Sequence, residues 1–173
     1  GFDSRYPLQK AHGYMTPYLT PLDADALKAL SIEGWSYGYA DRVRFHELDA
    51  LNHVNNANYF RWFESIRVQY LQDYGFTDYS LTEADPQLVV RAQTADYLAP
   101  MFHNETYVVT ARTSLLKPSS FVMEYAVHCD GQVRATGSTV MVSLQHDGSA
   151  RRPHKPGAVR AILERDAPKT EGL

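Results

Sequence analysis

RFHELDALNHVNNANYFRWFESIRVQYLQDYG, residues 44–75, changes character at Ala57. Ahead of that point the chain crowds together His46, Glu47, Asp49, Asn52, His53, Asn55 and Asn56. Beyond it, Tyr59, Phe60, Phe63, Ile66, Tyr70, Leu71 and Tyr74 recur at spacings of three and four, which predicts an amphipathic helix over residues 57–74. Gly75 stands where a helix-ending glycine belongs, and Asn55 or Asn56 can cap the start.

Outward from this helix the pattern turns to strands. YADRVRF (residues 39–45) alternates polar and apolar residues, and four Val-, Thr- and Tyr-rich runs follow Asp85. In the third run Phe121, Met123, Tyr125, Val127 and Cys129 share one face. Asp130-Gly131 signals a tight hairpin, KPSS (residues 117–120) a looser turn, and GAVRAILER (residues 157–165) a short closing helix. One long helix and five strands, four of them antiparallel, predict an α+β domain whose sheet wraps the helix. Such a sheet has two edges, which dimerisation can cover. Residues 1–37 read as an N-terminal extension docked on a single domain of residues 38–173. Within it, Thr20 is the expected N-cap of a short helix with Pro21 as its first residue.

The totals suit one domain: 173 residues, 44% hydrophobic, 21% charged. A net charge of −3 gives no basic stripe for nucleic acid. No apolar run approaches the roughly 18 residues of a membrane span. The first residues lack the apolar core of a signal peptide, so the expected location is cytoplasmic. A single cysteine, Cys129, allows no intrachain disulfide and suits a small core residue better than a nucleophile.

The polar cluster allows two readings. Asn and Asp can simply cap the helix and tie up loop donors. Alternatively, the helix start, with unpaired N–H groups and partial positive charge, polarises a carbonyl, while Asp49, seven positions before Asn56, folds back as nucleophile or base. Acyl transfer needs both parts. No metal is expected: His46 and His53 are seven apart and Glu47 adjoins the first, but no matched ligand set follows. There is no G-x-S-x-G elbow either.

Residues 42–75 resemble the opening motif of hot-dog-fold acyl-CoA thioesterases, the group that includes 4-hydroxybenzoyl-CoA thioesterase. That motif is a strand ending in Phe, then Asp, Gly-His-Val, Asn-Asn, Tyr and a helix with Glu and Arg. YLAP, SSF and VMVSL further on are similar to family segments, so the likeness covers about residues 38–163. The resemblance implies a hot-dog fold and homodimers with a continuous sheet, in many members tetramers. It places the catalytic carboxylate on Asp49 and the carbonyl-polarising backbone N–H at Asn56. It assigns His53 to shaping the site or assisting water, and Glu64 and Arg67 to a structural pair. Asn55 and Tyr59 fall on the substrate side. Lys117, Ser119 and Ser120 fall in a turn that can meet coenzyme A phosphates or be an ordinary hairpin turn, and the basic group Arg151, Arg152, His154 and Lys155 can form a solvated C-terminal face or meet phosphates or an acidic carrier protein.

Two positions depart from the family pattern. Asn52 stands for the usual Gly, and Asn104 for a common acidic residue, with Glu105 expected on the other face of a strand. The implied activity is hydrolysis of an acyl-CoA thioester to free acid and CoA. No cofactor is expected, coenzyme A being part of the substrate. Rivals are a thioesterase acting on acyl carrier protein and a non-hydrolytic acyl-binding module. Bulk at Tyr59, Phe60, Trp62 and Phe63 suits short or aromatic acyl groups, though core packing explains it equally.

Overall fold

The computed structural model describes residues 10–11, 14–15 and 17–173; residues 1–9, 12–13 and 16, all in the expected extension, lie outside the described residues. Its strands are β1 (Lys10–Ala11), β2 (Tyr14–Met15), β3 (Leu22–Asp23), β4 (Tyr37–Arg42), β5 (Gln87–Tyr97), β6 (Thr106–Lys117), β7 (Ser120–Cys129), β8 (Gln132–Leu144) and β9 (Lys169–Thr170). Its helices are α1 (Ala24–Ala29), α2 (Asn56–Asp73) and α3 (Pro156–Arg165). No helix among the described residues is long and apolar enough to cross a membrane.

Helix α2 starts one residue earlier than the apolar period indicates, because Asn55 is the cap: its Oδ1 accepts the Ala57 N–H at 2.9 Å. The end is as expected. Gly75 has φ +77°, and its N–H and that of Phe76 return to the carbonyls of Gln72 and Leu71. The first short helix differs from expectation. Leu22 pairs with Gly38 in the sheet, so Asp23, not Thr20, caps α1 through the Ala26 N–H. Strand β4 stops at Arg42 rather than Phe45, because the Glu47 carboxylate takes the Arg44 N–H and winds residues 45–47 into a single tight turn.

The sheet has seven strands, not five, in the order β3-β4-β6-β7-β8-β5 with β9 against β6. The five expected strands form one continuous run of it, β4-β6-β7-β8-β5. The extension adds β3, and the C-terminal tail adds β9, parallel to β6 beyond the point where β4 has ended. Both extra strands are two residues long, too short for a period to declare them. The turn at Lys117–Ser120 is also tighter than expected, since these two residues pair directly.

The sheet's two edges are treated differently. On the β4 side, Leu22 and Asp23 pair with Gly38 and Tyr37, and Leu19 donates to the Ala40 carbonyl. Leu22, Leu27 and Ile32 pack there with Trp35 and Val108 as a small second core. On the other side β5, eleven residues long, has no strand beyond it among the described residues. Such an edge offers a row of unpaired backbone groups.

Helix α2 lies against the sheet's inner face, where Phe63, Ile66 and Tyr70 are wholly buried with Val109, Met123, Val127 and Ala135. Each of the larger of these side chains contributes about 1.5–3 kcal/mol by leaving water. The close approach depends on Gly137 in β8. A Cβ there would lie 2.4 Å from the Phe63 ring and 2.8 Å from the Thr94 carbonyl. Phe63 is held in turn by stacking on Tyr125 at 4.7 Å. Gly137→Val is therefore expected to cost about 3 kcal/mol by overpacking. A thermal melt should show a midpoint roughly 6–12 °C lower; an unchanged midpoint would mean that Phe63 can move aside.

Candidate active site

Glu47 builds the base of the site. Its buried carboxylate accepts the Arg44 N–H (2.7 Å) and the Trp62 indole N–H (2.8 Å). Its carbonyl accepts the Asn55 N–H (2.8 Å) and the Asn58 side-chain amide (2.7 Å). One residue thus ties the loop before α2 to the first two turns of the helix. Its place next to His46 suggested nothing more than half a metal site.

Between Leu48 and Val54, which face each other as an antiparallel bridge, the chain makes a closed loop. Asp49 N–H donates to the His53 carbonyl, and the Asp49 carbonyl accepts the Asn52 N–H. The Asp49 carboxylate caps the loop from inside: Oδ1 accepts the N–H groups of Leu51 (2.8 Å) and His53 (3.2 Å). Asn52 has φ +60°, a left-handed conformation that Asn tolerates better than most residues. The positive φ considered at this position is therefore present with Asn in place.

Both readings of the polar cluster meet in this arrangement. One oxygen of Asp49 is structural, while Oδ2 has no hydrogen-bond partner among the described residues. At the helix start the Ala57 N–H goes to the Asn55 side chain and the Asn58 N–H to the Asn55 carbonyl. The Asn56 N–H has no acceptor among the described residues, and Asn56 is exposed at the positive end of an eighteen-residue helix. The half-buried His53 ring meets Phe102 edge-on at 5.2 Å. The loop and residues 101–105 are joined by the Val54 N–H, which donates to the Met101 carbonyl at 2.8 Å.

Two neighbours of this site differ from expectation: nothing in the sequence singles out Tyr97, and Glu105 is expected within a strand. Tyr97, the last residue of β5, donates from its hydroxyl to the Asn56 carbonyl at 3.2 Å. Glu105 precedes β6 instead of lying within a strand, and its carboxylate accepts the Phe102 N–H at 2.7 Å. Asn104 beside it has φ +68°, a turn conformation. Tyr97 lies 41 positions from Asn56, so no local signal marks it.

Of the other expected residues, Tyr59 stays beside the site and the rest fall elsewhere. Tyr59 is buried between Tyr97 and Trp62, and burial, with Tyr97 and Glu105 nearby, pushes its hydroxyl up to about 12. Lys117, Ser119 and Ser120 lie at the far end of β6 from Thr106, eleven residues and about 36 Å along the strand. Within one chain they are not brought to Asp49. Lys117 pairs with Glu171 at 2.6 Å. The basic group near the C-terminus disperses: Arg152 donates to the carbonyls of Glu83 and Ala84, Lys155 pairs with Asp85, and His154 is buried between Phe76 and Phe121. Arg67 is buried, reaching the Tyr125 and Thr139 hydroxyls and, at 3.9 Å, the exposed Glu64.

His46 is exposed and His53 half-buried, and neither belongs to the one cluster of metal-ligand side chains among the described residues. That cluster is Glu105, Cys129 and Asp130, where the Arg134 guanidinium, 3.9 Å from Glu105, already supplies positive charge. Burial first, then the charges of Glu105 and Asp130, push the Cys129 thiol up to about 11. It is a protonated core thiol at neutral pH, not a nucleophile.

Known proteins share this architecture. A family model described as the thioesterase-like superfamily matches residues 43–163. A crystal structure from Jannaschia sp. CCS1, described as thioesterase superfamily, is 42% identical with a TM-score of 0.85, covering 90% of this chain and 99% of that one. A Thermus thermophilus thioesterase solved with coenzyme A and zinc is 32% identical with a TM-score of 0.68, covering 78% of this chain and 97% of that one. The Bacillus subtilis (strain 168) protein YsmA, of uncharacterized function, is 29% identical over 106 residues, 61% of this chain and 70% of its own.

Proposed function

From the premise that the chain belongs to the thioesterase-like superfamily and has the hot-dog fold, we propose that it hydrolyses an acyl-CoA thioester to the free acid and CoA. The observation that carries this reading is the pairing of an uncommitted Asp49 oxygen with an unpaired N–H at the start of α2. The Asn56 N–H, at the positive end of the helix, stabilises negative charge as it develops on the thioester oxygen. Asp49 Oδ2 either removes a proton from the water that attacks the carbonyl, or attacks it directly to give an anhydride that water then opens. In both routes the C–S bond breaks, the sulfur leaves as thiolate, and a proton returns to it. Coenzyme A in the Thermus thermophilus relative favours CoA as the donor.

The functional unit in this reading is a homodimer joined through β5. Strand β4 is already flanked by the chain's own residues, which leaves the long β5 edge for pairing. Gln87 sits by the Lys117–Ser120 end of the sheet, through Leu144 and Val142, and Tyr97 sits by the α2 N-terminus. Antiparallel pairing of β5 with its copy reverses one protomer against the other. The partner's hairpin end then moves to the end that carries Asn56. This supplies Lys117, Ser119 and Ser120 as candidates for the CoA phosphates of the neighbouring site.

The test is release of thiol from short, long and aromatic acyl-CoAs, with the same acids offered on carrier protein. Turnover of an acyl-CoA is the expected result. Turnover of carrier-bound acids alone would move the donor to a protein, and tight binding without turnover would make this a binding module. Light scattering should give about 39 kDa, twice the 19.6 kDa of one chain. Replacing Val89 and Val90 on the exposed edge by Lys should yield monomers with little turnover. An active monomer would remove the partner from the mechanism.

A further inference from the structure

Tyr97 occupies a position where the sheet edge and the helix start are physically joined. Its hydroxyl donates to the Asn56 carbonyl, and its ring packs edge-on against Tyr59 at 5.1 Å. Tyr59 leads on to Trp62 at 4.9 Å, and Trp62 stacks on Tyr107 of β6 at 4.2 Å. An unbroken file of aromatic rings therefore runs from the open edge strand, across the first half of α2, to the centre of the sheet. The file's outer end is 46% exposed, yet its hydroxyl is committed to a backbone carbonyl.

The backbone behind Tyr97 is held firmly. Tyr97 pairs with Ala135 of β8, the next two N–H groups, of Leu98 and Ala99, share the Arg134 carbonyl, and the Arg134 guanidinium donates to the Pro100 carbonyl at 3.1 Å. The tyrosine is thus a fixed post. The Asn56 carbonyl that it holds already accepts within the helix, so the helix ladder does not require the extra donor. What the extra bond does is restrain residue 56. The first turn is where helices fray, because its N–H groups have no partners within the helix.

We propose that Tyr97 is a positioning residue, tethering the first turn of α2 so that the Asn56 N–H keeps a fixed direction. This rests on the thioesterase reading given above. It goes beyond that reading in linking the dimer edge to the carbonyl-polarising end of the helix. Pairing of β5 across protomers orders the strand, and Tyr97 passes that order to Asn56. A donor meant to stabilise an oxyanion must be in place before charge develops, and small misplacement is costly.

Tyr97→Phe keeps the ring and removes only the hydroxyl, so the fold and the dimer should persist. With an acyl-CoA that the wild type turns over, kcat should fall about 10- to 100-fold, with KM unchanged. That split is the signature of an interaction used in the transition state rather than in binding. Hydrogen exchange supplies a readout that does not need turnover. The Ala57 and Asn58 amides, both bonded to Asn55, should exchange about tenfold faster in the variant. Unchanged exchange at these amides would overturn the tether, whatever the activity. Faster exchange with unchanged kcat would overturn its role in the reaction. A wild type without turnover would sink the thioesterase reading alone, since the exchange experiment would still report on the tether.

Discussion

Asp49→Asn is expected to lower thioester turnover by about 10³-fold or more while leaving the fold intact. The asparagine is isosteric and keeps a carbonyl oxygen where Oδ1 now accepts the Leu51 and His53 N–H groups, so the loop retains its cap. What disappears is the charge at Oδ2, and with it both nucleophilicity and basicity. Removing a positioned acid or base typically costs 10²–10⁴-fold, and a lost nucleophile costs at least as much. Thiol release by wild type and variant, beside matched thermal melts, decides the matter. Equal rates would show that Asp49 is only a loop cap. A collapse in rate with an unchanged melting point would give the carboxylate a chemical role. The comparison has force because the loop bonds and the free oxygen belong to one side chain, and the substitution separates them.

The second large effect lies at the other end of α2. Asp166, just past α3, accepts four hydrogen bonds: from the hydroxyls of Ser36, Tyr70 (2.5 Å) and Tyr74 (2.9 Å) and from the Thr113 N–H (2.6 Å). The donors come from the segment before β4, from α2 and from β6. One carboxylate therefore gathers the extension, the central helix, the sheet and the C-terminal tail. Burial first, then the Asp166 charge, raises the ionisation of Tyr70 and Tyr74 well above the ordinary tyrosine value, so both hydroxyls remain donors at any physiological pH.

Hydrogen bonds to a charged acceptor are worth about 1.5–3 kcal/mol each and are not additive. Asp166→Ala leaves four donors to be met by whatever water can enter, and a net loss of about 3 kcal/mol is expected. For a chain of this size that lowers the melting midpoint by roughly 6–12 °C. Tyr70→Phe, which removes one donor and leaves the carboxylate in place, should cost much less. Equal losses in the two variants, read from thermal or urea unfolding, would mean that Tyr70 and not Asp166 is the centre of the junction.

Sequence alone determined the parts whose causes are local. The three- and four-residue spacing from Tyr59 to Tyr74, the Asn before it and the Gly after it describe α2 within one residue, because a helix is closed by bonds between neighbours in the chain. Asp130 and Gly131, both with positive φ, made the β7–β8 hairpin legible for the same reason. Alternation of apolar residues gave β7 its buried face, and the motif around Asp49 pointed to the family and to a candidate carboxylate.

Only the tertiary structure decided which residues those local elements meet. Gly137 looks like a weak spot in a strand until Phe63, more than seventy positions earlier, is seen to occupy the space a side chain would take. Glu47 looks like half of a metal pair until Trp62 and Asn58 are seen to hold it. Tyr97 and Asn56 are 41 positions apart, and Asp166 and Ser36 are 130. The far end of β6 carries Lys117 and Ser119 away from Asp49 although the family resemblance assigns both sets to one substrate. Such pairings leave no period or spacing in the chain. They arise when preformed helices and strands bury their apolar faces against one another, and the polar groups carried along settle on whatever partners the packing brings within reach.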